Sequence, residues 1–330
     1  MSSSPAPPDS EFRPPVSVIV PIYNGEADLP GLLAALQAQT YPRDRVEYLL
    51  VDNNSGDRTA DLIRAAAHNQ PNIRLLQELA VQSSYAARNC GIRAARHDLL
   101  AFTDADCRPI PAWLEQLVQP FQQPTIGLVV GEIAGLPGAT WLERHAERHN
   151  VLSQKFTLAH PFCPYGQTAN LAIRKVALTE VGLFRPYLTT GGDADICWRI
   201  LRETEWQYAF AAQAVIRHRH RANLREFRSQ WRRYGRSNRY LHELYGVPLM
   251  RELTAATAAR RLGRWLLKEL PRDGLKLALG RADWLDLVRS PIDLVGYQAR
   301  SHGQQQASLP PEARQIEPFA SPDTHSTGDR

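Results

Sequence analysis

The chain has 330 residues, of which 43% are hydrophobic and 22% are charged, and this composition is ordinary for a globular protein. Four scattered cysteines without a C-x-x-C pair argue against a disulfide framework or a zinc site and favour a reduced, cytoplasmic protein. No apolar stretch reaches the length needed to cross a bilayer, so we expect a cytoplasmic protein that is soluble or bound peripherally to the inner face of a membrane.

Short apolar runs and amphipathic segments alternate through the first third of the chain. Residues 1–14 are rich in Ser and Pro and lack an apolar segment, so we predict a disordered tail rather than a signal peptide. The pattern that follows predicts strands over 16–20, 46–51, 73–76 and 98–103, and helices over 29–36, 59–67 and 83–96. This alternation predicts an α/β fold with a mostly parallel, Rossmann-like sheet and helices on both faces.

Polar residues follow three of the predicted strands. Tyr23 and Asn24 come after the first strand, an Asp-Asn-Asn turn at 52–54 closes the second, and Asp104 and Asp106 end the fourth. Because ligands bind at the carboxyl ends of parallel strands, we expect these groups to form one site.

The pair Asp104 and Asp106 is the most informative feature of the sequence. Residues i and i+2 at the end of an extended strand point the same way, so both carboxylates can reach one spot. Two neighbouring carboxylates repel each other unless a cation or hydrogen-bond donors lie between them. Partly open oxygen ligands suit Mg²⁺ or Mn²⁺ shared with a phosphate, and the alternative interpretation is an acidic turn after a strand.

The second half of the chain is less regular and becomes strongly basic. The pattern predicts strands over 126–133 and 168–173 and helices over 113–117, 141–152 and 174–181. A Gly-Gly-Asp-Ala-Asp run at 191–195 then precedes an apolar helix, which is typical of a flexible loop that delivers a carboxylate to a helix start. Between Arg217 and Tyr240 there are nine arginines and the single acid Glu226. Such a stretch suits a nucleic-acid patch, a membrane-facing surface, a rim for anionic substrates, or a helix paired with acids elsewhere.

Five short motifs occur in a characteristic order. They are VSVIVPIYN at 16–24, LVDNNS at 50–55, AARNCGI at 86–92, FTDAD at 102–106 and GDADICWR at 192–199. This order resembles that of the family 2 glycosyltransferases, which are inverting enzymes with the GT-A fold, and five motifs in order are far more specific than one. The resemblance covers roughly residues 15–240 and implies a GT-A domain over 15–245.

The resemblance implies a site for a nucleotide sugar. Asp52 would accept a hydrogen bond from the N–H of the base ring, as the matching Asp does with uracil, so a UDP-sugar is favoured. The residues implied for donor binding are Pro21, Tyr23, Glu26, Asp52, Asn54, Arg88 and Asp104. For Arg88 the alternative is a solvent-facing position on its helix.

The resemblance also implies a metal site and a catalytic base. Asp106 and His218 would hold Mn²⁺ or Mg²⁺, which would neutralise charge on the departing diphosphate, and His220 is the alternative to His218. Asp193 would take the proton from the acceptor hydroxyl. The family often has Glu-Asp at this position, and here Gly192 replaces the Glu, which puts the help of a second acid in acceptor binding in doubt.

The segment after the implied base is assigned to the acceptor. Asp195 is expected to cap or orient the helix that follows it. Residues 230–234 resemble the Gln-x-x-Arg-Trp segment of processive polysaccharide synthases, with Tyr in place of Trp. The residues implied for the acceptor region are Trp198, Gln230, Arg233 and Tyr234. Because no membrane-spanning helix is predicted, we expect the transfer of a single sugar.

Two further segments follow residue 245. Residues 246–300 are predicted to form a helical extension that mixes Trp and Leu with basic residues, as membrane-interfacial helices do. Leu262, Leu266 and Leu270 would pack equally well on the catalytic domain or on a second subunit. Residues 301–330 are polar and rich in Gln, Pro and Ser, so we predict disorder there.

The sequence therefore predicts an inverting, metal-dependent glycosyltransferase of the hexosyltransferase type that acts in glycan or glycolipid biosynthesis. Its expected partners are a nucleotide sugar, a glycan or lipid-linked acceptor and a membrane surface; nucleic acid is not expected, since no recognition motif accompanies the arginines. A nucleotidyltransferase, the first alternative, should show a Gly-rich loop with Arg or Lys after the first strand. The second alternative, a non-catalytic nucleotide-binding or membrane-scaffolding protein, would not need both Asp106 and Asp193.

Overall fold

The computed structural model describes residues 12–320, and these residues form one sheet with helices around it. The strands are β1 (Val16–Ile22), β2 (Val46–Asp52), β3 (Ile73–Gln77), β4 (Leu99–Phe102), β5 (Cys107–Pro109), β6 (Ile126–Gly135), β7 (Leu171–Arg174) and β8 (Gln207–His218). Their order across the sheet is β3-β2-β1-β4-β7-β6-β8-β5. The first four run parallel, β7 is antiparallel to β4 and β6, β6 is parallel to β8, and β5 is antiparallel to β8. The predicted α/β fold with a mostly parallel sheet is confirmed.

The helices connect the strands and then continue beyond the sheet. They are α1 (Leu29–Gln37), α2 (Thr59–Asn69), α3 (Ser84–Ala94), α4 (Trp113–Val118), α5 (Trp141–Arg148), α6 (Lys155–Leu158), α7 (Lys175–Val181), α8 (Gly192–Glu203), α9 (Leu224–Tyr245), α10 (Ala255–Arg264), α11 (Leu270–Ala278), α12 (Trp284–Leu287) and α13 (Arg289–Gln306). A π-helical stretch, Trp265–Glu269, joins α10 to α11. Among residues 12–320, no helix combines the length and the apolar character needed to cross a bilayer.

Strand β1 shows why the apolar runs of this sequence form buried strands. Its side chains alternate between the two faces of the sheet, so Val16, Val18 and Val20 pack in the core that contains α1, and Ile19 packs in the core that contains α3. Every residue of β1 and β2 is buried, which explains why these runs are mostly apolar instead of alternating; the buried Ser17 hydroxyl donates to Glu47 Oε1 at 2.7 Å. Burial of one Val or Ile side chain contributes about 1.5–3 kcal/mol, so the strands hold their polar ends firmly in place.

Helices α9 and α13 pack with their backbones unusually close. A Cβ atom at Gly235 on α9 would overlap the backbone oxygen of Arg300, and a Cβ atom at Gly303 on α13 would overlap that of Arg232. Glycine is therefore required at both crossing positions. This contact holds the C-terminal helix α13 against the helix that follows the sheet.

The prediction of disorder from residue 301 is wrong for the described part of that segment. Helix α13 continues to Gln306, Leu309 and Ala313 are buried in the core, and Leu183 donates a backbone hydrogen bond to Glu317 at 2.9 Å. The prediction relied on polar composition, and composition does not reveal order that comes from tertiary packing, the source of most helical stability in proteins. Residues 1–11 and 321–330, which belong to the predicted disordered tails, lie outside the described residues.

Candidate active site

One cavity of about 550 Å³ gathers seven of the predicted site residues. They come from α3, the loop after β4, the start of α8, the end of β8 and the helix α9, and they are Arg88, Asp104, Asp193, His218, Gln230, Arg233 and Tyr234. Much of the remaining wall is formed by residues between 149 and 169, several of them aromatic or aliphatic. The fold therefore brings side chains from distant parts of the sequence around one space.

Arg88 and Asp104 form a pair on this cavity. Arg88 is only 3% exposed, and its Nη2 donates a hydrogen bond to Asp104 Oδ1 at 2.6 Å. Its Nε is buried and has no hydrogen-bond partner within the described residues. A guanidinium binds oxyanions through several donors at once, so Arg88 retains capacity for a further anionic group. The alternative of a solvent-facing Arg88 is wrong.

Asp106 and His218 meet because β5 pairs with β8. The register places Cys107 opposite His218, so the residue before Cys107 lies beside the imidazole. His218 Nε2 is 3.3 Å from Asp106 Oδ2, and the potential ligand atoms of Asp106, Cys107 and His218 all lie within 4.8 Å of one another. The Nδ1 of His218 is buried, and no partner for it exists in the described part of the chain.

This group fits a divalent cation held by one oxygen and one nitrogen ligand. A carboxylate and an imidazole suit Mn²⁺, and two protein ligands leave coordination positions free for a diphosphate. Cys107 is an unsuitable third ligand, because burial and the nearby carboxylates raise the pKa of its thiol well above the ordinary value. Arg221 Nη1 lies 4.0 Å from Asp106 Oδ2 and offers the same carboxylate a weaker, competing contact.

His220 does not belong to this group. It is buried, and burial together with the charge of His218 lowers the pKa of its imidazole to about 4. Within the described residues the metal-binding cluster contains His218 and not His220. The structure therefore favours His218 over its sequence neighbour.

Asp193 lies in the first turn of α8, on the wall of the cavity. Thr168 Oγ1 donates a hydrogen bond to Asp193 Oδ1 at 2.8 Å. Burial raises the pKa of the Asp193 carboxyl, whereas the charge of Arg88 and the hydrogen bond from Thr168 oppose that shift. A carboxylate with a raised pKa on a cavity wall is suited to accept a proton from a bound molecule.

Tyr85 occupies the space that an acid before Asp193 would need. A Cβ atom at Gly192 would lie 2.7 Å from the Tyr85 ring, and the Gly192 backbone N–H donates to Tyr85 Oη at 2.9 Å. The Tyr85 ring is stacked on Phe184, with ring centroids 5.7 Å apart, so it cannot easily move aside. The departure from the Glu-Asp pattern is thus a packing feature of this chain.

Asp195 anchors α8 and does not face the cavity. It is fully buried, and it accepts hydrogen bonds from Arg185 Nε at 2.8 Å, Arg199 Nη2 at 2.9 Å and Tyr245 Oη at 2.6 Å. Removal of one partner from such a buried ion pair costs about 3–5 kcal/mol. This network orients the helix that carries Asp193.

The predicted base and ribose residues lie at the ends of β1 and β2, outside the cavity lining. Asp52 is 2% exposed, and its Oδ1 accepts a hydrogen bond at 3.2 Å from the backbone of the turn that follows. Tyr23 is 55% exposed. Glu26 is paired with Arg58 at 2.6 Å, which lowers the pKa of its carboxyl.

Two further residues of this predicted group differ in exposure. Pro21 is buried within β1, whereas Asn54 is exposed and has a φ of +61°. Asparagine tolerates this left-handed conformation better than most residues, because its short side chain can bond locally. The turn at the end of β2 is therefore shaped by its own sequence.

Trp198 is the predicted site residue that the structure contradicts most clearly. Its side chain is fully buried, its Nε1 donates to the backbone oxygen of Cys163 at 2.8 Å, and its ring packs against Phe162 and Tyr245. Sequence position close to Asp193 suggested an acceptor contact, but the helical turn directs Trp198 into an aromatic core. Trp198 supports the structure behind the cavity and does not line it.

Sequence reasoning missed three residues that shape the site. Tyr85 and Thr168 contact the loop and the carboxylate of the implied base, and Arg300 on α13 also lines the cavity. No local pattern marks any of them, because each acts across more than 20 positions of the sequence. Gly235 and Gly303 permit the close approach of α9 and α13, but their role can be recognised only once the two helices are known to pack.

Solved structures share this fold. The mannosyltransferase PcManGT from Pyrobaculum calidifontis, solved in complex with GDP-Man and Mn²⁺, superposes with a TM-score of 0.59 at 21% identity and covers 89% of this chain and 88% of its own. Residues 1–349 of TarS from S. aureus, solved in complex with UDP-GlcNAc, give a TM-score of 0.51 at 16% identity and cover 88% and 92%. The fold is that of the GT-A glycosyltransferases.

The sequence specifies the family within this class. The model of glycosyl transferase family 2 matches residues 17–185, about half of the chain, so the chain belongs to that family. Glycosyltransferase AglE of Haloferax volcanii is 36% identical over 182 residues, which are 54% of this chain and 59% of AglE. The pre-mycofactocin glycosyltransferase of Mycobacterium tuberculosis is 29% identical over 238 residues, 71% of this chain and 48% of that relative. The chain thus spans between about half and three fifths of the length of these two curated relatives.

Proposed function

We propose that this protein is an inverting, metal-dependent glycosyltransferase that moves one sugar from a nucleotide sugar to an acceptor hydroxyl in glycan or glycolipid biosynthesis. The observation that carries this proposal is the position of Asp193. Its carboxylate, with a raised pKa, lines the same cavity as Asp104 and His218. A protein that only binds a nucleotide has no need of such a base.

Asp193 would act on the acceptor. As the acceptor oxygen forms its bond to the anomeric carbon, the bond from that carbon to the diphosphate breaks, and the hydroxyl proton passes to Asp193 Oδ. Attack from the face opposite the leaving group inverts the anomeric configuration. Thr168 would hold the carboxylate in one orientation through its 2.8 Å hydrogen bond.

The departing diphosphate would be stabilised by cationic groups of the same site. Asp106 and His218 would hold Mn²⁺ or Mg²⁺, and this ion would supply Lewis-acid stabilisation of the developing charge. Arg88, whose Nε has no partner in the described residues, would donate to the diphosphate or to the sugar. Asp104, fixed by Arg88, would accept from a hydroxyl of the ribose or the sugar.

The nucleotide would bind at the ends of β1 and β2. The residues proposed there are Pro21, Tyr23, Glu26, Asp52 and Asn54. Within the described residues only Oδ1 of Asp52 accepts a side-chain hydrogen bond, so Oδ2 would accept from a uracil ring N–H, which favours a UDP-sugar. Structural neighbours carry GDP-Man and UDP-GlcNAc, so the fold alone does not select the base.

The acceptor would enter from the side of α9. Gln230, Arg233 and Tyr234 line the cavity there, and Gln230 Nε2 donates to Tyr234 Oη at 3.1 Å. A glycan or a lipid-linked glycan is the proposed acceptor. We propose residues 15–245 as the catalytic domain and residues 246–300 as a helical extension.

A peripheral membrane contact is proposed for α10, α11 and the π-helical stretch between them. Leu266 and Leu267 are 55% and 77% exposed, and basic residues Arg260 and Lys268 flank them on the same segment. Exposed leucines among basic residues suit the interface of an anionic bilayer. The surface that these leucines would contact is the inner face of a membrane.

The first experiment is calorimetric titration with UDP, GDP, dTDP and CDP, each in Mn²⁺ and in EDTA. We expect metal-dependent binding of one nucleotide, with UDP favoured. Absence of binding by all four would contradict the proposal and favour the scaffold alternative.

The metal assignment is tested on the same samples. Asp106→Asn and His218→Ala should each abolish the difference in nucleotide affinity between Mn²⁺ and EDTA. Asp61→Asn, an exposed surface change on α2, is the matched control and should leave that difference intact. A wild-type response to Mn²⁺ in both site variants would contradict the assignment of Asp106 and His218 as metal ligands.

A further inference from the structure

The cavity contains a partly buried cation that the proposed donor chemistry does not use. Arg300 projects from α13 to the cavity, its Nη2 donates to Asn238 Oδ1 at 2.9 Å, and its Nε is buried without a partner among the described residues. In residues 12–320 no carboxylate lies within the 4.0 Å ion-pairing distance of its guanidinium. Its titratable neighbours include the hydroxyls of Tyr165, Tyr234 and Tyr297 and the imidazole of His160.

A partly buried guanidinium without a counter-ion is unfavourable, because a low dielectric penalises the charged form. Burial lowers the pKa of Arg300, yet an arginine keeps its proton at neutral pH. Arg199 shows the usual arrangement, since its guanidinium lies 2.9 Å from Asp195 and also donates to backbone carbonyls. Arg300 has no such carboxylate or backbone carbonyl partner in the part of the chain that the structure describes.

The position of Arg300 is set by the helix contact and not by a flexible loop. The crossing of α13 and α9 at Gly235 fixes the backbone of Arg300 itself, and the hydrogen bond to Asn238 holds its guanidinium. Arg233 of α9 lines the same space and adds a second, more exposed guanidinium. Two guanidiniums on adjacent helices suit a group with several oxygen acceptors.

The rest of this wall is largely aromatic. Its rings, from α6, the loop before β7 and α9, belong to Phe156, His160, Tyr165, Trp231 and Tyr234. Three acids also line the cavity and none of them pairs with Arg300: Asp104 is bonded to Arg88, Asp193 to Thr168, and Asp293 lies 3.8 Å from Arg289. The aromatic rings and the two arginines thus line the same cavity as Arg88 and Asp193.

We propose that the acceptor carries an anionic group, a phosphate or a carboxylate, next to a flat apolar moiety, and that Arg300 and Arg233 bind this group. The acceptor role rests on the proposed function, whereas the anion site itself does not. The C-terminal helix α13 then contributes directly to substrate selection. Residues that were predicted to form only an extension are part of the binding site.

The test is calorimetry in EDTA with phenyl phosphate, benzoate and the neutral benzyl alcohol. Wild type should bind one or both anions more tightly than the alcohol, and the preferred anion identifies the group. Arg300→Gln should weaken anion binding by about tenfold or more and leave the alcohol unchanged. Arg228→Gln, an exposed arginine of α9 outside the cavity lining, is the matched control and should bind as wild type.

Two results would overturn the proposal: equal affinity of wild type for the anions and the alcohol, or undiminished anion binding by Arg300→Gln. If that variant does not fold, Arg233→Gln and the wild-type comparison of charged with neutral probes decide instead. Nucleotide binding in Mn²⁺ is measured in parallel. Nucleotide binding without anion preference contradicts this inference alone, whereas Arg300-dependent anion binding without nucleotide binding supports the anion site and contradicts the transferase proposal.

Discussion

Three aspartates near the cavity differ in role because their surroundings differ. Asp195 lies between two guanidiniums and accepts a tyrosine hydroxyl, so it is committed to structure. Asp104 is tied to one guanidinium and remains partly accessible. Asp193 accepts a hydrogen bond from the neutral hydroxyl of Thr168, has no direct bond to a guanidinium among the described residues, and has its pKa raised by burial. Carboxylates in different environments have different pKa values, and this difference separates catalytic from supporting carboxylates.

Asp193→Asn tests the base directly. The amide has the same shape but cannot accept a proton, so the transfer rate should fall by about 10²–10⁴-fold. Nucleotide affinity should stay within about twofold of wild type, because Asp193 contacts the acceptor side in the proposed mechanism. Steady-state kinetics and calorimetry measure the two quantities, and a parallel loss of nucleotide affinity would count against the role of base.

The pH dependence gives a second test at this residue. Asp193 acts only when deprotonated, so activity should be present above its raised pKa and be lost as the pH falls through it. The Thr168 hydrogen bond lowers that pKa, and Thr168→Val should therefore move the acidic limb of the kcat profile to higher pH. Thr179→Val on α7, away from the cavity, should leave the limb in place. An unmoved limb in Thr168→Val would show that another group controls it.

At the scale of elements, the α9–α13 contact links the sheet domain to the C-terminal segment. It joins a helix that follows β8 to one whose arginine reaches the cavity. Gly235 and Gly303 permit the close backbone approach, and Trp231 packs near Gly296 further along the same interface. The stability of this contact therefore affects the geometry of the site.

Gly235→Ala should weaken this interface. The added methyl group would overlap the Arg300 backbone and force the helices apart, at a cost of about 1–3 kcal/mol in the free energy of unfolding. Gly263→Ala on α10, where nothing lies within 4 Å of the new Cβ atom, should instead stabilise by about 0.5–1 kcal/mol. Denaturant unfolding measures both, and equal effects would contradict the close-approach argument.

At the scale of the whole molecule, the C-terminal third both completes the core and presents an apolar surface. Leu309 and Ala313 are buried against the sheet domain, whereas α10 and α11 expose several leucines. Truncation before α10 would remove both features at once. The membrane proposal therefore needs substitutions that leave the fold intact.

Leu266→Glu with Leu267→Glu should reduce binding to anionic liposomes. Each exposed leucine that enters the interface is worth about 1.5–3 kcal/mol at most, so loss of two should lower partitioning by about tenfold or more. Leu79→Glu, at a position 61% exposed on the sheet domain, is the control. Co-sedimentation with vesicles measures the effect, and equal binding of all variants would place the contact elsewhere.

Much of the sheet could be predicted because its signals are local. Largely apolar runs identify β1, β2 and β4, and the placement of the polar residues after them follows from strand direction and the period of side-chain alternation. The order of the short motifs predicted the family, and the family match over residues 17–185 confirms it. Trp198 was misassigned because proximity in sequence does not specify which face of a helix meets the cavity.

The sequence by itself determined the apolar strands, the carboxylates at their ends and the family, since each depends on residues close together in the chain. Only the tertiary structure decided that Tyr85 fills the place of an acid, that Thr168 bonds to Asp193, and that α13 delivers Arg300 to the cavity. These features depend on contacts between segments far apart in the chain. Such contacts are set by the packing of the whole molecule, which no local pattern of residues encodes.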